Sequence, residues 1–152
     1  MVTRESWGAE ADDLLGEIES GFAQWLPTTG AARVDSVTQA IGRLSRGRVV
    51  LSMSDGSTKT AWMPGSLSGI DPLLRRAMAD PVRGSWTWAH LWMDADELVL
   101  HAEFDWMREP LFEDGTQPPS DHGCAMELDR FPRAEEFVPA WLAEGARRHR
   151  LT

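Results

Sequence analysis

The chain has 152 residues, a net charge of −9 and a single cysteine, Cys124. This length allows one domain with a buried core, so we predict a single domain over residues 1–152. One cysteine excludes an internal disulfide framework and is typical of a reducing compartment. Because no apolar run resembles a signal peptide or a membrane span, we expect a cytoplasmic protein without a membrane partner.

Acidic residues are concentrated in one part of the chain. Residues 90–137 contain thirteen Asp and Glu against three Arg, which gives this segment a charge of −10 and leaves +1 for the rest. The negative electrostatic potential of such a segment repels nucleic acid and attracts a basic partner. A solvated acidic surface that aids solubility is the simpler explanation, and charge alone favours it.

The first part of the chain predicts one helix followed by three strands. Apolar residues recur at helical spacing over residues 10–26, and Pro27 is expected to end the helix. Strands are predicted over residues 33–41, 48–54 and 58–63. The dipeptide Asp55-Gly56 between the second and third strands is a strong signal for a hairpin turn.

Three shorter helical segments are predicted further on. Ser68 or Asp71 can cap a helix that buries Leu73, Leu74, Ala77 and Met78. A helical turn is expected over residues 125–130 and a last helix over residues 134–148, where Gly145 packs against nothing. The order of elements predicts an α+β fold, with an antiparallel sheet of about five strands and helices packed on one face.

Residues 85–106 are the most informative segment and predict a β-hairpin with its turn at residues 94–97. Strict alternation gives one apolar side, with Thr87, Ala89, Leu91 and Met93 on the first strand. The other side carries Trp86, Trp88, His90, Trp92, His101, Glu103 and Asp105. For an even-numbered loop the expected pairs are Met93–Leu98, His90–His101, Trp88–Glu103 and Trp86–Asp105.

Residues 107–124 predict a long surface loop rich in Pro, Gly and acidic side chains. Long loops in compact domains often carry function. Its candidate contacts with a partner are the acidic residues Glu109, Glu113, Asp114 and Asp121.

Several catalytic or ligand-binding interpretations stay open beside a binding surface. His90, His101, Glu103 and Asp105 could hold a metal or serve a small enzyme, although β alternation alone explains their spacing. A Cys124–His122 pair lacks an orienting third group. No dinucleotide-binding, phosphate-binding, zinc-protease or serine-hydrolase motif is present. The tryptophans could instead be covered by a loop or buried in a homodimer.

Three features follow one another from Trp86 onward. Paired strands end in Phe104-Asp105-Trp106, an acidic loop with prolines follows, and the chain closes with Phe131-Pro132-Arg133 and Val138-Pro139-x-Trp141-Leu142. In these features about half of the chain resembles the YezG-like family of bacterial toxin-immunity proteins.

The resemblance implies a cytoplasmic, non-enzymatic antitoxin that blocks the active site of a cognate secreted toxin. That toxin is expected to be a nuclease, with an NAD-degrading enzyme or a deaminase as alternatives. No cofactor and no metal are implied, and we expect a monomer or weak dimer that binds no nucleic acid. An acidic, tryptophan-rich face suits the basic cleft of a nuclease. A small ligand-binding or metal-binding domain or enzyme that uses His90, His101, Glu103 and Asp105 is the alternative.

Overall fold

The fold places four helices around one antiparallel sheet. A computed structural model describes residues 6–151. Its helices are α1 (Ala9–Thr29), α2 (Ile70–Ala77), α3 (Asp121–Arg130) and α4 (Ala140–Arg150). Its strands are β1 (Arg33–Ile41), β2 (Leu44–Ser52), β3 (Thr58–Ala61), β4 (Trp88–Asp94) and β5 (His101–Asp105), in the sheet order β3-β2-β1-β4-β5. The predicted α+β fold with a five-stranded antiparallel sheet is confirmed.

Helix α1 supplies the largest apolar surface against the sheet. Its buried face consists of Ala11, Leu15, Ile18, Phe22 and Leu26. The helix continues through Pro27 to Thr29, so the predicted end before Pro27 is wrong. Proline removes one backbone donor near the helix end, and the hydroxyl groups of Thr28 and Thr29 donate to carbonyls of the last turn. Gly30, in the left-handed region at φ 75°, ends the helix.

Two tight hairpins set the register of the first three strands. The predicted Asp55-Gly56 turn joins β2 to β3, and the Asp55 carboxylate accepts a hydrogen bond from the Ser57 amide at 2.9 Å. A second turn at Gly42 and Arg43 joins β1 directly to β2. Strand β2 therefore begins at Leu44, four residues before the predicted start. This difference brings residues 44–47, among them Arg46, into the sheet.

Helices α1 and α2 cover the same face of the sheet. Ile70 and Leu74 of α2, with Met78 directly after the helix, join the core formed by α1 and the inward residues of β1, β2 and β4. The prediction that Leu73 is buried is wrong, since Leu73 is 44% exposed and Arg75 is buried in this helix instead. Within residues 6–151, no helix packs along the opposite face of the sheet.

Helices α3 and α4 form a second, smaller core at the end of β1. Its buried members are Ile41, Phe112, Cys124, Ala125, Leu142 and Ala146. Helix α3 is longer than predicted because Ser120 caps it, its hydroxyl oxygen accepting a hydrogen bond from the Gly123 amide. The expectation for Gly145 is also wrong, since a Cβ there would lie 2.5 Å from Cys124 Sγ. Glycine lets α4 approach α3 closely.

A buried ion pair connects the two cores. Glu127 of α3 is fully buried and accepts hydrogen bonds from Arg75 of α2 and from the Gly42 amide, the latter at 2.8 Å. Arg75 also donates to the carbonyls of Trp86 and Gly42. Arg133 lies 3.9 Å from the same carboxylate. Through these charged side chains, α3 is joined to α2 and to the turn between β1 and β2.

Candidate functional site: the open face of the sheet

The open face is the sheet surface that α1 and α2 leave uncovered. On β4 and β5 it carries Trp88, His90, Trp92, His101, Glu103 and Asp105, as alternation predicts. The register differs from the predicted one by two residues, so that Trp92 faces His101 and His90 faces Glu103. The connection over residues 95–100 is longer than the predicted turn and includes Leu98 at φ 57°. Because the shift is even, every side chain keeps its face.

Trp86 does not belong to this face, so its assignment to the partner-binding surface is wrong. Strand β4 begins at Trp88, and the preceding Trp86 is 0% exposed. Its indole ring lies 5.9 Å from the Phe104 ring, and its carbonyl accepts a hydrogen bond from Arg75 at 2.8 Å. The chain enters the core here, and strict alternation does not extend to Trp86.

Aromatic rings form a continuous row across β4 and β5. The ring centroids of His90 and Trp92 are 4.6 Å apart, and Trp92 stacks on His101 at 5.3 Å with an interplanar angle of 14°. Trp88 lies 6.0 Å from His90 and is covered by the Arg108 guanidinium at 4.0 Å. These contacts leave Trp88 and Trp92 half-buried, with part of each large apolar ring still exposed on the open face.

His90 is oriented by a carboxylate on the neighbouring strand. His90 Nε2 donates to Asp35 Oδ1 at 2.7 Å, and Arg33 donates two hydrogen bonds to the same carboxylate at 3.0 Å. Burial raises the pKa of Asp35, but the hydrogen bonds from Arg33 and His90 outweigh it and bring the pKa below its ordinary value. The carboxylate is therefore ionised at neutral pH and fixes the imidazole ring.

Arginines on β2 give the open face a basic side that the sequence analysis did not identify. Arg46 is in register with Gln39 and Trp88, and Arg48 with Val37 and His90. Both arginines are exposed, and neither is ion-paired to an acid within residues 6–151. Three strand spacings, about 14 Å, separate them from Glu103 and Asp105 on β5. The open face is thus basic along β2 and acidic along β5, rather than acidic throughout.

The loop after β5 borders the open face and covers part of it at Trp88, where Arg108 lies over the ring. The Gln39 side chain exchanges two hydrogen bonds with the backbone of Leu111, at 2.7 and 2.9 Å, and Phe112 is buried. Between the loop and the sheet lies a groove of about 1120 Å³. Its sheet side includes Arg46, Arg48 and Trp88, and its loop side includes Arg108, Glu109, Glu113 and Asp114. Three of the four predicted loop contacts therefore line the groove.

Asp121 is separate from this set. It lies in the first turn of α3, and its carboxylate accepts a hydrogen bond from Arg148 of α4 at 3.0 Å. It does not line the groove. An acid near a helix N-terminus stabilises that helix, so a structural role accounts for Asp121.

Across residues 6–151 the structure favours neither a metal site nor a Cys124–His122 pair. In the described part of the chain no three His, Cys, Asp or Glu side chains are grouped so that they could hold a metal ion. Cys124 is buried between α3 and α4, whereas His122 is exposed and its ring lies 5.1 Å from that of His149. Burial, followed by the charge of Asp121, raises the pKa of Cys124 to about 11.

We expect Cys124 to react slowly with thiol reagents. A pKa raised from 9.0 to about 11 lowers its thiolate fraction at neutral pH about 100-fold, and burial restricts access further. Labelling with a chromogenic disulfide in native buffer should be at least about 100-fold slower than in 6 M guanidinium chloride. Equal rates in the two conditions would contradict the buried placement.

Comparison with known proteins adds no assignment. No protein-family model matches the chain, and no curated protein matches it significantly. Across residues 6–151, no helix is both long enough and apolar enough to cross a membrane.

Proposed function

We propose that the chain is a cytoplasmic immunity protein that binds a cognate secreted toxin through the open face. The observation that carries the proposal is a sheet face free of helices, with the half-buried rings of Trp88 and Trp92 at its centre and charged residues at its margins. Aromatic anchors surrounded by polar residues are typical of protein interfaces. The resemblance to YezG-like immunity proteins supports the same function.

The charges of the open face constrain the toxin surface. The acidic side, with Glu103, Asp105 and the loop acids, suits the basic cleft of a nuclease and would steer association. The basic side at Arg46 and Arg48 requires acidic groups on the toxin, about 14 Å from the basic groups that would contact Glu103 and Asp105. An NAD-degrading enzyme is the second toxin class, with the loop over residues 109–115 entering its pocket.

A small-ligand-binding domain is the alternative function, and the groove favours it. Its volume of about 1120 Å³ exceeds what a drug-sized ligand needs, and Arg46, Arg48 and Arg108 offer hydrogen-bond donors to an anion. Native mass spectrometry of untagged protein separates the two functions. A stoichiometric small molecule on the isolated chain would favour the ligand-binding domain.

The immunity function is tested by capture and then by inhibition. Tagged protein is used to isolate its partner from the native host, and the purified partner is assayed for nuclease or NAD-degrading activity with and without the immunity protein. We expect stoichiometric inhibition. A captured protein whose activity is unchanged at excess immunity protein would contradict the proposal.

We expect the double variant Trp88→Ala/Glu103→Lys to bind that partner about 100-fold more weakly, because it removes a central aromatic anchor and reverses one charge. Calorimetric titration measures the dissociation constant, and circular dichroism verifies the fold. The matched control is Trp25→Ala/Glu10→Lys, which alters a half-buried tryptophan and an exposed acid of α1, on the other side of the sheet. Equal affinity of both double variants would exclude the open face as the interface.

A further inference from the structure

A second cavity lies on the helix side of the sheet, below the edge formed by β2 and β3. Its volume is about 390 Å³, within the range of small-molecule sites. Strand β3 pairs only with residues 49–52 of β2, so the cavity opens beside Gly47. Its lining includes the apolar residues Val49, Ala61 and Met63 together with Ser36, Trp62 and Asp71.

The polar group of this cavity is the carboxylate of Asp71. Asp71 Oδ2 accepts a hydrogen bond from Thr38 Oγ1 at 2.7 Å, and within residues 6–151 no cationic side chain pairs with it. Burial raises the pKa of Asp71, and the hydrogen bond from Thr38 offsets this only in part. A carboxylate in apolar surroundings without a counter-ion favours the approach of a cation.

The space beside Asp71 is kept open by a glycine. A Cβ at Gly47 would lie 3.3 Å from Thr38 Oγ1, a tight contact, and 3.6 Å from Asp71 Oδ2, so a side chain there would occupy the space beside the carboxylate. Arg48 also borders the cavity, but strand alternation directs its side chain to the open face, in register with Val37.

Trp62 is among the residues that line the same cavity. Trp62 follows β3 directly and is 92% exposed, far more than any other tryptophan described. An indole face attracts an ammonium group through its quadrupole, and the attraction strengthens as the cation is desolvated. A carboxylate and an exposed indole around one apolar cavity form the combination that recognises organic ammonium ions.

We propose that this cavity binds a primary alkylammonium group. The ammonium donates to the Asp71 carboxylate, the alkyl chain packs against Val49, Ala61 and Met63, and the Trp62 indole covers the cation. Asp71 also lies in the first turn of α2, where an acid favours the helix dipole. However, no side-chain hydrogen bond caps that helix, and Asp71 bonds to Thr38 of β1 instead.

The test is a titration with n-butylammonium chloride, observed through the indole ¹H–¹⁵N resonance of Trp62, which Trp62→Phe assigns. We expect a saturable shift that 1-butanol, the neutral analogue of similar shape, does not produce. Asp71→Asn should weaken binding at least about tenfold, since it removes the charge and keeps the shape. The matched control is Asp55→Asn, which changes an exposed aspartate of the β2–β3 turn and should bind like the wild type.

A substitute variant and a second ligand complete the test and identify the source of the ammonium group. Where Asp71→Asn fails to fold, Trp62→Ala replaces it, with an expected loss of about threefold in affinity. Nα-acetyl-lysine methylamide is titrated in parallel, and stronger binding than that of n-butylammonium would assign the site to a lysine side chain of a partner. Absence of saturation with both amines, or equal binding of 1-butanol, would overturn the proposal. So would unchanged affinity in Asp71→Asn, or in Trp62→Ala where it takes the place of Asp71→Asn.

Discussion

The substitution Glu127→Gln is expected to lower the free energy of unfolding by about 3–5 kcal/mol. Glu127 is fully buried and bonds to Arg75 and to the Gly42 amide. A neutral amide leaves the Arg75 guanidinium, whose side chain is only 5% exposed, without its counter-charge in the core. In addition, the NH₂ group of the introduced glutamine would face one of the two present donors, the Gly42 amide or the Arg75 guanidinium, instead of accepting a hydrogen bond from it. Loss of one partner of a buried pair costs far more than the pair contributes.

Urea unfolding followed by circular dichroism measures this effect. The matched control is Glu144→Gln, which removes an exposed carboxylate that pairs with Arg147 one turn away in α4. That change is expected to cost far less than Glu127→Gln because water screens the pair. A loss below about 1 kcal/mol for Glu127→Gln would show that the buried pair does not join α2 to α3.

The second large effect is expected at Trp86. Trp86→Ala should lower the free energy of unfolding by about 3–5 kcal/mol, because it leaves a cavity where a fully buried indole contacts Phe104. Trp88→Ala, two residues later on the half-buried open face, should cost much less, about 1 kcal/mol.

The pair of variants separates a core residue from a surface residue within one segment. Denaturant midpoints and slopes of both variants are compared with those of the wild type, so that a change in stability is distinguished from a change in the extent of unfolding. A similar loss for both variants would contradict the placement of Trp86 in the core and Trp88 on the open face. A greater loss for Trp88→Ala would reverse the assignment.

The two faces of the β4–β5 hairpin could be predicted from the sequence. Ala89, Leu91 and Met93 are buried, and Trp88, His90 and Trp92 lie on the other side, as alternation requires. A strand's side chains point to opposite faces at every step, whatever the rest of the chain does. The Asp55-Gly56 turn was similarly predictable because its conformation is local.

The composition of the open face depended on contacts that alternation does not describe. Arg46 belongs to it because a turn at Gly42 extends β2 beyond its predicted start, and Arg48 because β2 pairs with β1 in this register. Asp35 belongs to it because β1 lies beside β4, although 55 residues separate Asp35 from His90. None of these three residues belongs to a sequence motif. For Asp35 the only available signal was the alternating pattern of residues 33–41, which predicts a strand but not its neighbour.

The sequence by itself therefore determined the order of the main elements and the side of the sheet on which each residue of β4 and β5 lies. Only the tertiary structure decided the register of β4 with β5, the burial of Trp86 and the pairing of Asp121 with Arg148. It also decided that Glu127, in an acidic segment, lies in the core. The physical reason is range: side-chain periodicity is a property of a few neighbouring residues, whereas register, burial and ion pairing depend on segments that meet only in the folded chain.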